Sequence, residues 1–111
     1  MAQRAGLAAL MEKGLETVAF PDLNPILESL AKEPPRAVVG LALSLTRDAI
    51  RTGLGLEPRV HRDLAPVLQA AGRARGLGGL QRLADRLAEA PGQLVYNVNP
   101  RLLLDRLFLV P

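Results

Sequence analysis

The sequence predicts an all-α protein, a compact bundle or array of five to six helices. Leucine and alanine dominate a chain that is 49% hydrophobic and only 3% aromatic, and both residues favour helices. Apolar residues recur at three- and four-residue spacing, and prolines and glycines separate the segments that carry this spacing. A length of 111 residues suits one hydrophobic core. We therefore expect residues 1–111 to form a single helical domain.

The first three segments are predicted to be helices that end at proline or glycine signals. The first covers residues 2–19 and ends at the sequence FPDLNP. The second begins at Asn24 and Pro25, because asparagine is a frequent N-cap and proline fits the first helical position, and it ends at Lys32. The third, residues 35–52, is the most apolar, so we expect it in the middle of the bundle.

The fourth segment is predicted to be a helix over about residues 59–75. Pro66 is compatible with this helix if Asp63 is the N-cap and Pro66 lies in the first turn. The sequence GLGG at 76–79 then predicts a turn to the next helix. A phosphate-binding loop is not indicated there, because such a loop follows a buried strand and precedes a Lys-Ser or Lys-Thr pair.

The last two segments are predicted to be short helices. Residues 80–90 carry leucines at helical spacing, and Pro91 with Gly92 should break or kink this helix. Asn99 and Pro100 repeat the combination of N-cap and first-position proline, so they predict the start of the final helix.

The positive charge is concentrated in the middle of the chain. The net charge is +3, and 12 of the 14 basic residues are arginine. Residues 47–86 hold eight arginines and four acidic residues, a net charge of +4, while the other residues sum to −1. This stretch is either a solvated face or a contact surface for a phosphate backbone or an acidic partner.

No pattern of catalytic or metal-binding residues is visible. The chain has no cysteine and one histidine, so a transition-metal site would need carboxylates for every other ligand, and we expect His61 at the surface. HRDL at 61–64 matches the start of a kinase catalytic loop, but Leu68 stands where the magnesium-binding asparagine belongs. Ser29 and Ser44 have no base at a recognisable spacing. We predict a chain that is not an enzyme and uses no cofactor or metal.

The sequence also predicts a cytoplasmic protein. No apolar run approaches the roughly 20 residues of a membrane span. The N-terminal segment carries Glu12, Lys13 and Glu16, which a signal peptide would not contain.

The final segment is apolar on almost every side. On a helical wheel Leu104, Leu107 and Phe108 cluster, whereas Leu102 and Leu109 fall well away from them. A small domain easily covers one stripe of a helix but rarely the whole circumference. This helix is therefore the core of the bundle, or part of it contacts another protein.

The same stretch, NVNPRLLLDRLFL, resembles the end of the bacterial DNA polymerase III delta prime subunits, a family of clamp-loader components. That family commonly closes on Asn-x-Asn-Pro-x-Leu-x-Leu-acidic-x-Leu-Leu. The match falls on Asn97, Asn99, Pro100, Leu102, Leu104, Asp105, Leu107 and Phe108. Asp105 stands where glutamate is usual, and Phe108 stands where an aliphatic residue is usual.

The resemblance implies an all-helical collar domain, one of five that hold a clamp-loader ring together during DNA replication. It implies that residues 1–111 are this C-terminal domain alone, because no motif of the ATPase-like module or its zinc-binding insert is present. Its partners would be the other clamp-loader subunits of the DNA polymerase III holoenzyme, a nucleotidyltransferase. Contact with DNA would be indirect or weak, and no membrane or small-molecule ligand would be involved.

Two sets of residues are candidates for this role. The helix-junction motif is structural and contains Asn97, Asn99, Pro100, Leu102, Leu104 and Asp105. Helical periodicity suggests a subunit interface formed by Arg47, Arg51, Arg82, Arg86, Leu103, Arg106 and Val110. The alternative is a small basic helical DNA-binding domain that uses the stretch from Arg47 to Arg86, whose affinity would fall steeply with salt.

Overall fold

All regular secondary structure that the computed structural model describes is helical. The model describes residues 2–13, 23–93 and 100–108. Its helices are α1 (Ala2–Lys13), α2 (Leu23–Ala31), α3 (Pro35–Gly53), α4 (Ala65–Gln93) and α5 (Pro100–Phe108), with a 3-10 turn at Arg62–Leu64 before α4. The radius of gyration is 12.8 Å, close to the roughly 13 Å of a compact domain of this length. The predicted all-α bundle of five to six helices is confirmed.

The core is built mainly where α1, α3 and α4 pack on one another, with α3 against α4 as the most extensive pair. Helix α2 contacts α1 and α5, and α5 also contacts α4. The buried apolar side chains form one cluster, whose largest members are Phe108, Leu7, Leu10, Met11, Leu27, Leu45, Leu68, Leu80, Leu83 and Leu87.

Helix α3 has the limits that the sequence predicts. Pro35 is its first residue, where the missing N–H of proline leaves no hydrogen bond unmade. At the other end Gly55 has a φ of +81°, and the Leu56 N–H donates to the Arg51 carbonyl at 2.9 Å while the Gly55 N–H donates to Thr52 at 3.1 Å. This pair of bonds is a Schellman cap, which ends the helix sharply.

The start of α4 differs from the sequence prediction. Residues 59–61 are not helical, and α4 begins at Ala65. The backbone N–H groups of this segment donate to the carboxylate of Asp48. Pro66 lies in the first turn, as predicted. Asp63 forms an ion pair with Arg4.

The break in the middle of α4 is shorter than predicted. Only Gly76 has non-helical angles inside the described helix, with φ 72° and ψ 165°, and residues 77–79 are helical. Helix α4 therefore has two halves, 65–75 and 77–93. The second half continues through Pro91 to Gln93, so Pro91 and Gly92 do not break the helix at that point. A proline in the last turn removes a single helical hydrogen bond.

The two predicted Asn-Pro helix starts have different outcomes. Helix α2 begins at Leu23, so Asn24 and Pro25 lie inside its first turn and Asn24 is not the N-cap. The first-turn N–H groups lack helical partners in any case, so proline fits there too. Pro100 is the first residue of α5, as predicted. Asn99 lies outside the described residues.

Candidate interaction surface

Asp48 organises the segment between α3 and α4. Its side chain is buried on α3, and its two carboxylate oxygens accept the backbone N–H groups of Arg59, Val60 and His61 at 3.0, 3.0 and 2.7 Å. Burial by itself would raise the pKa of Asp48, but these three hydrogen bonds outweigh it and the pKa lies below its usual value. Asp48 is therefore ionised at neutral pH and fixes the position of residues 59–61.

The fixed segment forms one wall of a surface cleft, and α3 forms the other. The cleft has a volume of about 430 Å³ and is lined by Gly40, Leu43, Ser44, Arg47, Asp48, Arg51, Arg59 and Val60. We call it the arginine cleft. Arg51 donates through Nε to the Glu57 carbonyl at 3.0 Å. Among the described residues, no hydrogen bond or ion pair engages the guanidinium of Arg47 or Arg59, so their charge faces solvent uncompensated.

Exposed apolar side chains lie beside the arginine cleft. We call Leu54, Leu56, Val60 and Leu77 the apolar patch; their exposed fractions lie between 42 and 65%. Leu54 and Leu56 belong to the Schellman cap of α3. Leu77 lies over Gly53, so closely that a Cβ on this glycine would be 2.7 Å from Leu77 Cδ2. Val60 also lines the arginine cleft.

His61 is buried behind this surface, which corrects the prediction of a surface histidine. Its side chain is 4% exposed. The ring Nε2 lies 2.9 Å from Ser44 Oγ, and Nδ1 lies 3.3 Å from Arg4 Nη1. Arg4 on α1 also donates to both carboxylate oxygens of Asp63, at 3.0 and 2.8 Å. The hydrogen bonds from Arg4 lower the pKa of Asp63. This network ties α1 to the start of α4.

The network determines what the pair of Ser44 and His61 can do chemically. The Arg4 guanidinium has only donors, so His61 Nδ1 must accept from it and the neutral ring carries its proton on Nε2. Nε2–H then donates to Ser44 Oγ. A serine nucleophile needs the opposite arrangement, in which Nε2 accepts the hydroxyl proton and a carboxylate holds Nδ1–H. This geometry gives Ser44 no general base.

Arg75 is a second polar group inside the structure. It lies at the end of the first half of α4 and is 8% exposed. Nε donates to the Met11 carbonyl at 2.6 Å, and Nη2 donates to the carbonyls of Leu10 and Phe108 at 3.1 and 2.7 Å. These carbonyls lie in the last described turns of α1 and α5, and the dipole of a helix favours a cation near its C-terminal end.

The surroundings of Arg75 leave its charge intact. Burial, and to a smaller extent the positive charge of Arg86, lowers the pKa of Arg75 to about 10, so the guanidinium is still protonated at neutral pH. A charged guanidinium makes stronger hydrogen bonds to carbonyl oxygens than a neutral donor does. Arg75 therefore holds the C-terminal ends of α1 and α5 together.

The predicted interface residues fall into separate environments. Arg47 and Arg51 line the arginine cleft, whereas Arg82, Arg86 and Arg106 do not. Arg82 and Arg106 are exposed, and Arg86 is half-buried.

Leu103 and Leu104 are core residues. Leu103 is 2% exposed and lies with Leu104 against Val38 and Val39. The prediction that Leu103 contacts a partner is therefore wrong, because its side chain is already buried within the described structure. Val110, Asn97 and Asn99 lie outside the described residues, as do the side chains of Leu102 and Asp105.

Comparison with family models, curated proteins and solved structures finds no match to this chain. Within the described ranges, no group of three or more His, Cys, Asp or Glu side chains is placed to hold a metal ion. None of the helices described combines the length and apolar character that a membrane span requires.

Proposed function

We propose that this chain is a subunit-assembly domain of the bacterial replicative clamp loader, of the delta prime type. It acts in the cytoplasm during DNA replication by holding neighbouring subunits together through helical collar contacts. The domain binds other clamp-loader subunits and performs no catalysis itself. Catalysis is the task of other parts of the DNA polymerase III holoenzyme.

The observation that carries this proposal is the role of the C-terminal motif in the fold. Pro100 begins α5, and the motif leucines Leu104 and Leu107 are buried together with Phe108. The pattern that resembles the delta prime family therefore has a physical purpose here, because its proline begins a helix and these apolar positions attach that helix to α2 and α4. A helical array with such a final helix is what the resemblance implies for a collar domain.

The surface chemistry agrees with assembly better than with catalysis. Exposed leucines beside arginines that lack partners are typical of protein contact surfaces, where arginine is enriched and a central apolar area is covered. Among the described residues, the hydrogen-bonded pair of Ser44 and His61 resembles a nucleophile and base, but the contact of Nδ1 with Arg4 assigns the ring proton to Nε2, where it prevents His61 from acting as the base.

Gel filtration of the chain with the sister clamp-loader subunits tests the proposal. We expect the chain to elute with them, and we expect the complex to persist from 50 to 500 mM salt because its contact would be mainly apolar. The matched control is a longer chain that carries an ATPase-like module before this domain. If neither chain elutes with any sister subunit, the proposal is wrong.

The alternative is a small basic DNA-binding domain, which the uncompensated charges of Arg47 and Arg59 favour. Three cleft arginines that each release one counterion would make the affinity for duplex DNA fall about 40-fold between 50 and 200 mM salt. Titration of duplex DNA at these two concentrations measures this slope. A steep slope, together with failure to bind sister subunits, would favour the alternative over assembly.

A further inference from the structure

Residues of the apolar patch and of the arginine cleft alternate along the chain from Arg51 to Val60. Val60 is part of both, and Arg51 joins them, because its backbone carbonyl accepts the Leu56 N–H of the Schellman cap while its guanidinium lines the cleft. A partner that covers Leu54 and Leu56 therefore also lies within reach of the arginines.

This surface is already in a fixed conformation. The Schellman cap sets the path of residues 54–56, three N–H groups bound to Asp48 set residues 59–61, and the Arg51 side chain is bound to the carbonyl of Glu57 between them. A surface that is ordered before binding loses little conformational entropy when a partner arrives. Exposed leucines on an ordered segment are more consistent with a contact site than with a mobile loop.

The charge of the surface specifies what it binds. Arg47 and Arg59 have no partner among the described residues, and the one carboxylate that lines the cleft, Asp48, is occupied by backbone N–H groups. The residues that line the cleft therefore carry three arginines against one ionised carboxylate. This excess of positive charge is complemented by acidic side chains.

The leucines indicate a protein rather than a nucleic acid as the partner. A phosphate backbone would engage the arginines but would leave Leu54, Leu56 and Leu77 exposed, because nucleic-acid contacts of this kind use charge and not aliphatic surface. A protein face can cover the leucines with its own apolar residues and place carboxylates at their edge.

We propose that the apolar patch with the arginine cleft is the surface on which a neighbouring subunit docks, and that the docking face of that subunit is apolar with acidic side chains at its edge. Leu54, Leu56 and Leu77 form the centre of the contact. Arg47, Arg51 and Arg59 bind the acidic edge. This inference rests on the proposed assembly function and names the surface that performs it.

The test compares variants of this surface with variants of other exposed arginines, by measuring affinity for the sister subunits. The surface variants are the pair Arg47→Glu with Arg59→Glu and, separately, Leu54→Glu. The matched controls are Arg82→Glu and Arg106→Glu, which reverse an exposed arginine outside the cleft. We expect each surface variant to weaken binding at least tenfold and each control to change it less than twofold. Thermal unfolding by circular dichroism checks that every variant is folded.

A charge exchange adds a readout that misfolding cannot imitate. Acidic residues on the partner are changed to arginine one at a time, and at least one change should restore binding to the Arg47→Glu/Arg59→Glu variant while weakening binding to the original chain.

Three outcomes would overturn the inference. If the surface variants bind normally and Arg82→Glu or Arg106→Glu loses binding, assembly stands but occurs elsewhere. If the surface variants lose only affinity for duplex DNA, the cleft is a phosphate site. If the unaltered chain binds no sister subunit, the proposed function fails and this inference fails with it.

Discussion

Two regions of the molecule use an arginine in opposite ways. Arg75 lies in the interior and Arg59 lies at the surface. Arg75 is buried and donates to three backbone carbonyls from two helices. Arg59 is exposed, its own N–H is bound to Asp48, and its guanidinium has no partner in the described part of the chain. The guanidinium of Arg75 has hydrogen-bond partners within the fold. For Arg59 only the backbone N–H is bound, and its guanidinium has no partner among the described residues.

Burial distinguishes an arginine with a structural role from one that is available for binding. A buried cation such as Arg75 must donate hydrogen bonds to acceptors around it, because a desolvated charge without partners costs far more than a fold of this size can offset. Its partners are therefore structural. An exposed arginine has no such requirement, because water solvates its charge, so its guanidinium remains available to a partner. In this chain that distinction separates Arg75 from the arginine cleft.

Removing the buried arginine should have the largest effect. Arg75→Met keeps an unbranched apolar stem but leaves three carbonyls at the ends of α1 and α5 without their charged donor. Bonds to charged groups contribute about 1.5–3 kcal/mol each, and not additively, so we expect a loss of about 4 kcal/mol in the free energy of unfolding. Urea unfolding measures this loss, and amide exchange should become faster in α5.

The control is Arg73→Met, on the same half of α4 but exposed. It should change the free energy of unfolding by less than about 0.5 kcal/mol. A loss below about 1 kcal/mol for Arg75→Met would mean that water can replace the guanidinium, and Arg75 would then not hold the two helices together.

Asp48→Asn should have the next largest effect, because it weakens the segment that positions the exposed arginines. The asparagine side chain keeps one acceptor oxygen, but its NH₂ group replaces the second oxygen and faces backbone N–H donors that it cannot accept. We expect a loss of about 2–3 kcal/mol at pH 7, and weaker subunit binding because Arg59 loses its fixed position. Asp85→Asn, at an exposed position on α4, is the matched control and should change stability by less than about 0.5 kcal/mol.

The pH dependence gives Asp48 a distinct signature. The pKa of Asp48 is lower in the folded chain than in the unfolded one, where it is about 3.9. Its contribution to stability is therefore complete above about pH 4 and is lost as the pH falls through the folded value. The stability difference between the original chain and Asp48→Asn should shrink as the pH falls below about 4. A constant difference would show that the charge of Asp48 is not the cause.

The helical elements could be predicted from the sequence because their signals are local. The spacing of leucines and the proline at position 35 or 100 act within one or two turns, and α3 and α5 begin where those signals indicate. The burial of His61 could not be predicted in this way, because its partners on α1 and α3 lie 57 and 17 residues away.

Helix register could have identified two of the site residues. Arg75 continues the stripe of Leu64, Leu68 and Ala71 at helical spacing, whereas Arg73 lies off it. Asp48 similarly falls on the buried face of α3, three residues after Leu45. A charge on an apolar stripe needs buried hydrogen-bond partners. The partners themselves depend on tertiary contacts, which no local pattern contains.

The smallest predicted effects come from two glycines, one in each region. Gly76 ends the half-helix that carries Arg75, and its angles lie in a region that only glycine occupies readily, so Gly76→Ala should cost about 2 kcal/mol. Gly40 borders the arginine cleft inside α3, so Gly40→Ala should stabilise by about 0.5–1 kcal/mol. A new Cβ meets nothing within 4 Å at either site. The opposite changes in the free energy of unfolding would therefore come from backbone conformation and not from side-chain contacts. Urea unfolding of both variants measures these two stability changes. A neutral Gly76→Ala would mean that α4 is continuous through residue 76 and delivers Arg75 to the two helix ends without a kink.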